Sequence, residues 1–401
     1  MRFGALKYLS MNALQRRIAL AAVLSVTGML LSMTSSTAVE ATGITIDKCK
    51  LVKQNQNPLS PGFPRDSALM PSTGTIRTLF LYVDFPDNTS VQNNKTFTAQ
   101  YAATTKKFLE TQSYGRAKFI FDSTEKTFRI NKKSSSYGLI QDGRGDAGRL
   151  VQDAINAADT AIDFGKYDLV TVVPPKDTKT ILFSGALTGG AGSFKSVEKD
   201  FSSAVWIGQN KLSNFNQPGF GWSFYTHELG HVLGLTHPYL QKNGGPGAIW
   251  DLMGNGGTSV PELIGWHRFL LDWIPSKQIS CISKETLLKE KLLISPINTK
   301  TAGTKFAMVS LNSKQGLIIE VRRSSAYDKL LPSEEGILVY KVDTTKGDDE
   351  GIITILGTKG TKREGQTLES LKKGEKITYE GVTIRVTASS KSGDTVEISK
   401  G

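Results

Sequence analysis

Three of the four histidines in this 401-residue chain fall within eleven residues, at His227, His231 and His237. The stretch reads His227-Glu228-Leu229-Gly230-His231-Val232-Leu233-Gly234-Leu235-Thr236-His237. On a helix, positions i and i+4 share a face, so His227 and His231 can aim their imidazoles at one point. Glu228 projects beside them, within reach of a water on a metal rather than of the metal itself. Gly234 lets the backbone leave the helix through the left-handed region, which brings His237 round as a third ligand. Three neutral imidazoles with one position left open suit a catalytic zinc, whereas a structural zinc fills all four positions with protein ligands. Zinc held there brings the pKa of its water towards about 7, and Glu228 takes the proton as the water attacks a carbonyl. A buried amphipathic helix with satisfied core histidines would explain the His227/His231 pair, but not Gly234 and His237 as well.

Further along comes Trp250-Asp251-Leu252-Met253-Gly254. Together with the histidine stretch it is similar to the zinc signature and Met-turn of the metzincin metallopeptidases. With residues 261–273 included, it resembles one group in particular, the immune inhibitor A-like secreted metallopeptidases. Asp84-Phe85-Pro86-Asp87, the Ser113-Tyr114-Gly115 stop after a helix, and residues 316–323 and 336–343 resemble that group too. One departure is His237, where the group often carries Asp.

The resemblance implies a fold, a reaction and roles. The fold is α+β: a metzincin-like catalytic domain, with a mixed, mostly parallel sheet and a zinc-binding helix, followed by an all-β sandwich-like domain. The reaction is hydrolysis of peptide bonds in protein or peptide substrates, with one Zn2+ on His227, His231 and His237, Glu228 as base and then acid, and Met253 as the floor. The strand before the zinc helix, with Ala204, Val205 and Trp206, is expected to line the cleft and pair with extended substrate main chain. A tyrosine often follows the methionine in such enzymes, but here Gly254 and Asn255 do, and Tyr239 has no motif behind it.

The elements that must position these groups can be read in chain order. Residues 78–84 are a nearly continuous apolar run typical of a buried strand. Residues 97–112 follow helical spacing and stop at Gly115. Strand-like runs follow at 118–121 and 127–130, then an amphipathic helix at 147–161 with Asp146 as its N-cap. Asp142 to Asp146 raises the question of Ca2+, but Arg144 takes a position that needs an oxygen ligand, so no clear calcium motif is present. Residues 167–173 and 203–207 read as strands around a glycine-rich stretch, 185–192. Residues 261–273 read as a helix opened by proline, with His267 as a helix-face residue rather than a ligand. Beyond Cys281, short β-rich runs at 307–311, 317–321, 337–342, 352–355, 382–386 and 395–398 suggest a sandwich or small barrel.

Four segments follow: a signal peptide over 1–38, an extended leader or pro-like segment over 39–75, a zinc metallopeptidase domain over 76–283, and a β-rich domain over 284–401. Arg16 and Arg17 precede the apolar run 18–31, and Ser36-x-Ala38 fits the small-x-small cleavage rule, so the chain is expected to be secreted. No later stretch is long and apolar enough for a transmembrane anchor. The net charge is +12, and loss of Arg2, Lys7, Arg16 and Arg17 with the signal leaves about +8. The lysines are interleaved with acids, so a solvated surface is expected and nucleic acid is not expected as a partner. Cys49 and Cys281 can form one disulfide in an oxidising compartment; the alternatives are free thiols or Cys49 on the zinc of a latent enzyme. All candidate site residues precede Cys281, so a chain ending near residue 285 is expected to keep the metal site if it folds. The contrasting function is an exported binding or adhesion protein with a vestigial zinc site, against which Glu228 argues.

Overall fold

The computed structural model describes residues 45–401, apart from 55–58, 90–92, 141–143, 190–192, 210–219, 240–249, 255–259, 331, 358–360, 364–365 and 369. The expected signal peptide lies outside the described residues. The molecule is mixed α+β with several sheets.

The apolar run at the start becomes β1 (Gly74–Asp84), the spine of the first sheet. It pairs in parallel with β2 (Ala117–Ser123), β3 (Phe128–Arg129) and β4 (Leu169–Val173). β4 pairs in parallel with β8 (Ser203–Trp206), and β5 (Gly185–Thr188) closes the sheet antiparallel to β8, giving the order β2-β1-β4-β8-β5. A small hairpin of β6 (Phe194–Lys195) and β7 (Asp200–Phe201) precedes β8.

Because strand side chains alternate, β1 serves two cores. Ile76, Phe80 and Tyr82 pack with Tyr101 and Phe108 of α1 (Asn94–Gln112) and with Tyr225, Leu229 and Val232 of α3 (Phe220–Val232). Leu79, Leu81 and Val83 face the other way, onto Leu150, Val151, Ala154 and Ile155 of α2 (Ala147–Ala158). Asn93 caps α1 by accepting from the Thr96 N–H at 3.0 Å, and Asp146 caps α2 by accepting from the Arg149 N–H at 2.8 Å.

The C-terminal strands form two sheets. The first has five strands, in the order β14-β13-β12-β11-β9. They are β9 (Ile279–Ser283), β11 (Phe306–Ser310), β12 (Gln315–Arg322), β13 (Gly336–Asp343) and β14 (Ile353–Leu356), antiparallel except for β9 with β11. The second is antiparallel, in the order β10-β19-β18-β17: β10 (Lys289–Ile294), β17 (Lys376–Tyr379), β18 (Val382–Ser390) and β19 (Gly393–Lys400). β15 (Thr361–Arg363) and β16 (Gln366–Leu368) make a separate hairpin. Alternation again divides the residues. Val309, Leu317, Ile319 and Val339 meet Val382, Ile384, Val396 and Ile398 of the second sheet, as in a sandwich. Met308, Ile318, Leu338 and Tyr340 face the opposite way, onto Trp250, Trp266 and Phe269. β9 begins before residue 284 yet belongs to this sheet, and the Trp250 core draws on both sides of that position.

Cys49 and Cys281 form a disulfide, with Cα atoms 5.8 Å apart, so neither cysteine is free to reach a metal. Leu51 is buried in the same core as Trp266, and the Pro61 carbonyl accepts from the Trp266 indole N–H at 3.0 Å. The described residues of the leader, with a 3-10 turn at Ile46–Cys49 and a bridge between Val52 and Phe63, thus lie against a core supplied largely by the rest of the molecule.

The expected helix over 261–273 is shorter: α4 spans Gly265–Leu270. In a helix begun at 261 the Gly265 and Trp266 N–H groups would bond back to the Pro261 and Glu262 carbonyls, but Glu320 and Tyr340 take them. The N–H groups before α4 are satisfied likewise, as a buried helix start requires. Asp328 accepts from Glu262, Gln112 from Leu263, and Asp251 from Ile264, at 2.7, 3.0 and 2.8 Å. Among the described residues, no helix is long and apolar enough to cross a membrane.

Candidate metal centre

The site is built on the last turns of α3. His227 and His231 lie one turn apart, and both are buried. The helix then ends at Gly234, which takes φ +98°. The Gly234 N–H donates to His231 O at 2.8 Å and the Leu235 N–H to Gly230 O at 2.9 Å, the paired bonds of a Schellman close. The chain reverses there and carries His237 back towards the first two histidines.

The three Nε2 atoms form a triangle with edges of 3.1, 3.2 and 3.2 Å. What each ring does with its other nitrogen decides what that triangle means. His227 Nδ1 lies 3.0 Å from the Leu252 carbonyl, His231 Nδ1 2.8 Å from the Leu235 carbonyl, and His237 Nδ1 3.1 Å from Asp348 Oδ2. A carbonyl or carboxylate only accepts, so each Nδ1 carries the proton and donates it. Each Nε2 then presents a bare lone pair, and three lone pairs converging at hydrogen-bond distance repel unless a cation sits among them. Tetrahedral zinc with Zn–N of about 2.0–2.1 Å holds its nitrogens about 3.3–3.4 Å apart, so the residues present fit it. No other described group of histidine, cysteine or acid side chains gathers in this way, apart from His237 with Asp348 and Asp349.

Electrostatics favours the neutral ligand form at two of the three rings. Burial, aided by the neighbouring imidazoles, holds the His227 pKa well below its usual value. Burial likewise holds His231 down, to about 4. At His237, burial also opposes charge, but the Asp348 hydrogen bond and the Asp348 and Asp349 charges outweigh it and raise the pKa.

Glu228 follows His227 on α3 and is buried, and its charge acts on His237. Met253 is fully buried beneath the helix, with its thioether packed directly against Gly230. Asp251 organises that turn. Its Oδ1 accepts from the Met253 N–H at 2.7 Å, and its Oδ2 accepts from Ile264 N–H at 2.8 Å and from His267 Nδ1–H at 3.0 Å. His267 is therefore an interior partner of Asp251, outside the histidine triangle. Tyr239 is buried in the Trp250 core, where burial and the Asp251 charge drive its pKa well up.

One expectation needs correcting. Ala204, Val205 and Trp206 of β8 have β4 on one side and β5 on the other, so their main chain is already paired across the sheet and cannot pair with a peptide. Ala204 and Val205 are also fully buried. Among the described residues, the edge of the sheet next to β8 belongs to β5, which packs beside α3.

Sequence reasoning also missed Asp348. It lies in the acidic turn Gly347-Asp348-Asp349-Glu350, 111 residues beyond His237, and no local pattern links the two. No protein-family model matches the chain, and no curated protein matches it.

Proposed function

We propose that this chain is an exported zinc endopeptidase of metzincin type. The observation that carries the reading is the convergence of three Nε2 lone pairs, two of them from the helix that also carries Glu228. Zinc, when bound, supplies a Lewis acid that polarises a peptide carbonyl and makes water acidic enough to attack it near neutral pH.

The residues divide the remaining work. His227, His231 and His237 present neutral Nε2 atoms, with tautomers fixed by the Leu252 carbonyl, the Leu235 carbonyl and Asp348. Glu228 takes the proton of the attacking water on its carboxylate and returns it to the leaving amine nitrogen. Met253 holds α3 from below through Gly230. The open edge of β5 offers unpaired main chain to an extended peptide, which binds whatever its side chains are. The Cys49–Cys281 disulfide suits an oxidising compartment, in keeping with export.

The test is zinc stoichiometry and peptidase rate on the purified parent, Glu228→Ala and His231→Ala. The parent should carry about one zinc and cleave an unfolded protein in a chelator-sensitive way. Glu228→Ala should keep the zinc and lose about 10²–10⁴-fold in rate, while His231→Ala loses both. A parent that binds zinc but cleaves no protein substrate would transfer the chain to the class of binding proteins with a vestigial site.

A further inference from the structure

The three clustered histidines are not held alike. His227 and His231 stand on α3, and their Nδ1–H groups donate to backbone carbonyls close to that helix in the fold, Leu252 and Leu235. His237 stands on neither helix nor strand, since residues 235–238 follow the helix stop in irregular chain. Nothing in its local structure sets where its ring points.

What sets it comes from the turn between β13 and β14. Asp348 Oδ1 accepts from the His237 backbone N–H at 2.6 Å while Oδ2 accepts from its Nδ1–H at 3.1 Å. One carboxylate thereby fixes both the main chain and the ring of the same residue. Two main-chain bonds run alongside: Asp349 N–H to His237 O at 3.4 Å and Ile353 N–H to Pro238 O at 2.8 Å. The turn itself is closed by bonds of its own. The Asp343 N–H donates to Ile352 O at 2.9 Å, and the Gly347 N–H donates to a Glu350 carboxylate oxygen at 2.7 Å. The turn is therefore a formed element, tied to the five-stranded sheet, that reaches across to the histidine segment.

We propose that Asp348 is the positioning residue of the metal centre, fixing His237 with Nε2 aimed at the point shared by His227 and His231, so that tight metal binding depends on the β13–β14 turn. This rests on the reading of the three histidines as a zinc site. The chemistry is that of a carboxylate behind a ligating imidazole: it fixes the tautomer, makes the other nitrogen a better donor and removes ring rotations that the ligand would otherwise lose on binding. Asp349 is the natural comparison. It carries the same charge in the same turn, 3.5 Å from Nδ1, but makes no second bond to the His237 backbone through its carboxylate.

The experiment uses the full chain, stripped of metal and titrated with zinc against a chromophoric chelator, with the cobalt absorption spectrum as a second readout. Asp348→Ala should weaken zinc binding about 10–100-fold and alter the cobalt spectrum. Asp348→Asn should fall between Ala and the parent, because an amide oxygen still accepts one N–H without the charge. Asp349→Ala should stay near the parent. The melting temperature of the metal-free protein should be the same for all four, which separates positioning from folding. Parental zinc affinity in Asp348→Ala would overturn the inference and leave the zinc site standing. Loss of affinity matched by equal loss of metal-free stability would overturn it as well. Two zinc ions per chain would assign Nδ1 to a second cation and overturn it too. A parent that binds no zinc would overturn both this inference and the proposed function.

Discussion

The thioether of Met253 occupies the space that a Cβ on Gly230 would need. Glycine at this helical position is thus a packing requirement: α3 can rest on the methionine only where it has no side chain. Two effects oppose each other in Gly230→Ala. Alanine gains about 1 kcal/mol in helix propensity, while forcing a methyl group into a filled site costs about 1–3 kcal/mol. The clash should win, and urea denaturation of the metal-free protein should show a net loss. The same substitution made in a Met253→Ala background should be neutral or stabilising. Equal effects in the two backgrounds would mean that the methionine does not bear on Gly230.

The Cys49–Cys281 bond closes a loop with a sequence separation of 232. Cross-links over loops of this size commonly contribute about 2–5 kcal/mol, chiefly by restricting the unfolded chain. Cys49→Ser with Cys281→Ser should lower the urea midpoint accordingly, and reductant should do the same to the parent while leaving the double variant unchanged. The leader should also become sensitive to protease first, since its core contacts are borrowed from the rest of the molecule. A parent indifferent to reductant would remove the disulfide from the account of stability.

Glu262 and Arg268 form an ion pair at 2.7 Å in which both side chains are buried. Burial pushes the Glu262 carboxyl up, but Arg268, Ser325 and Arg322 outweigh it and leave its pKa below the ordinary value. A carboxyl lowered in the folded state adds stability above its unfolded pKa of about 4.3, and that stability is lost as the pH falls through the lower folded value. The protein should therefore weaken in acid. Glu262→Gln should lose about 3–5 kcal/mol at neutral pH, because Arg268 keeps a buried charge without its counter-charge, and should show a shallower further loss in acid. Denaturation curves at neutral and acid pH measure both slopes. Parallel curves for parent and variant would exclude Glu262 as a source of the acid sensitivity.

What was legible in the sequence was whatever depended on short spacings. The i, i+4 histidines, the Gly234 exit, the buried run of β1, the Asp146 cap and most C-terminal strands all follow from residues within a few positions of each other. The site components that escaped were set by long-range pairing. β8 reads as a strand, but only the sheet order reveals that β5 covers its edge. The 261–273 stretch has helical periodicity, yet Glu320 and Tyr340 claim the Gly265 and Trp266 N–H groups that would have bonded back to residues 261 and 262. Asp348 belongs to an acidic turn like many solvated ones, and its meeting with His237 is a property of where the five-stranded sheet places the β13–β14 turn.

That meeting has a consequence in time. When the chain is made, α3 and its two aligned histidines are complete long before Asp348 exists, 111 residues downstream of His237. At synthesis rates of about 5–20 residues per second the interval is about 6–20 s. Throughout it, the third imidazole hangs from an irregular segment whose native hydrogen-bond acceptor has not yet been polymerised. The anchoring of His237 by Asp348 is therefore a late event in the life of each molecule.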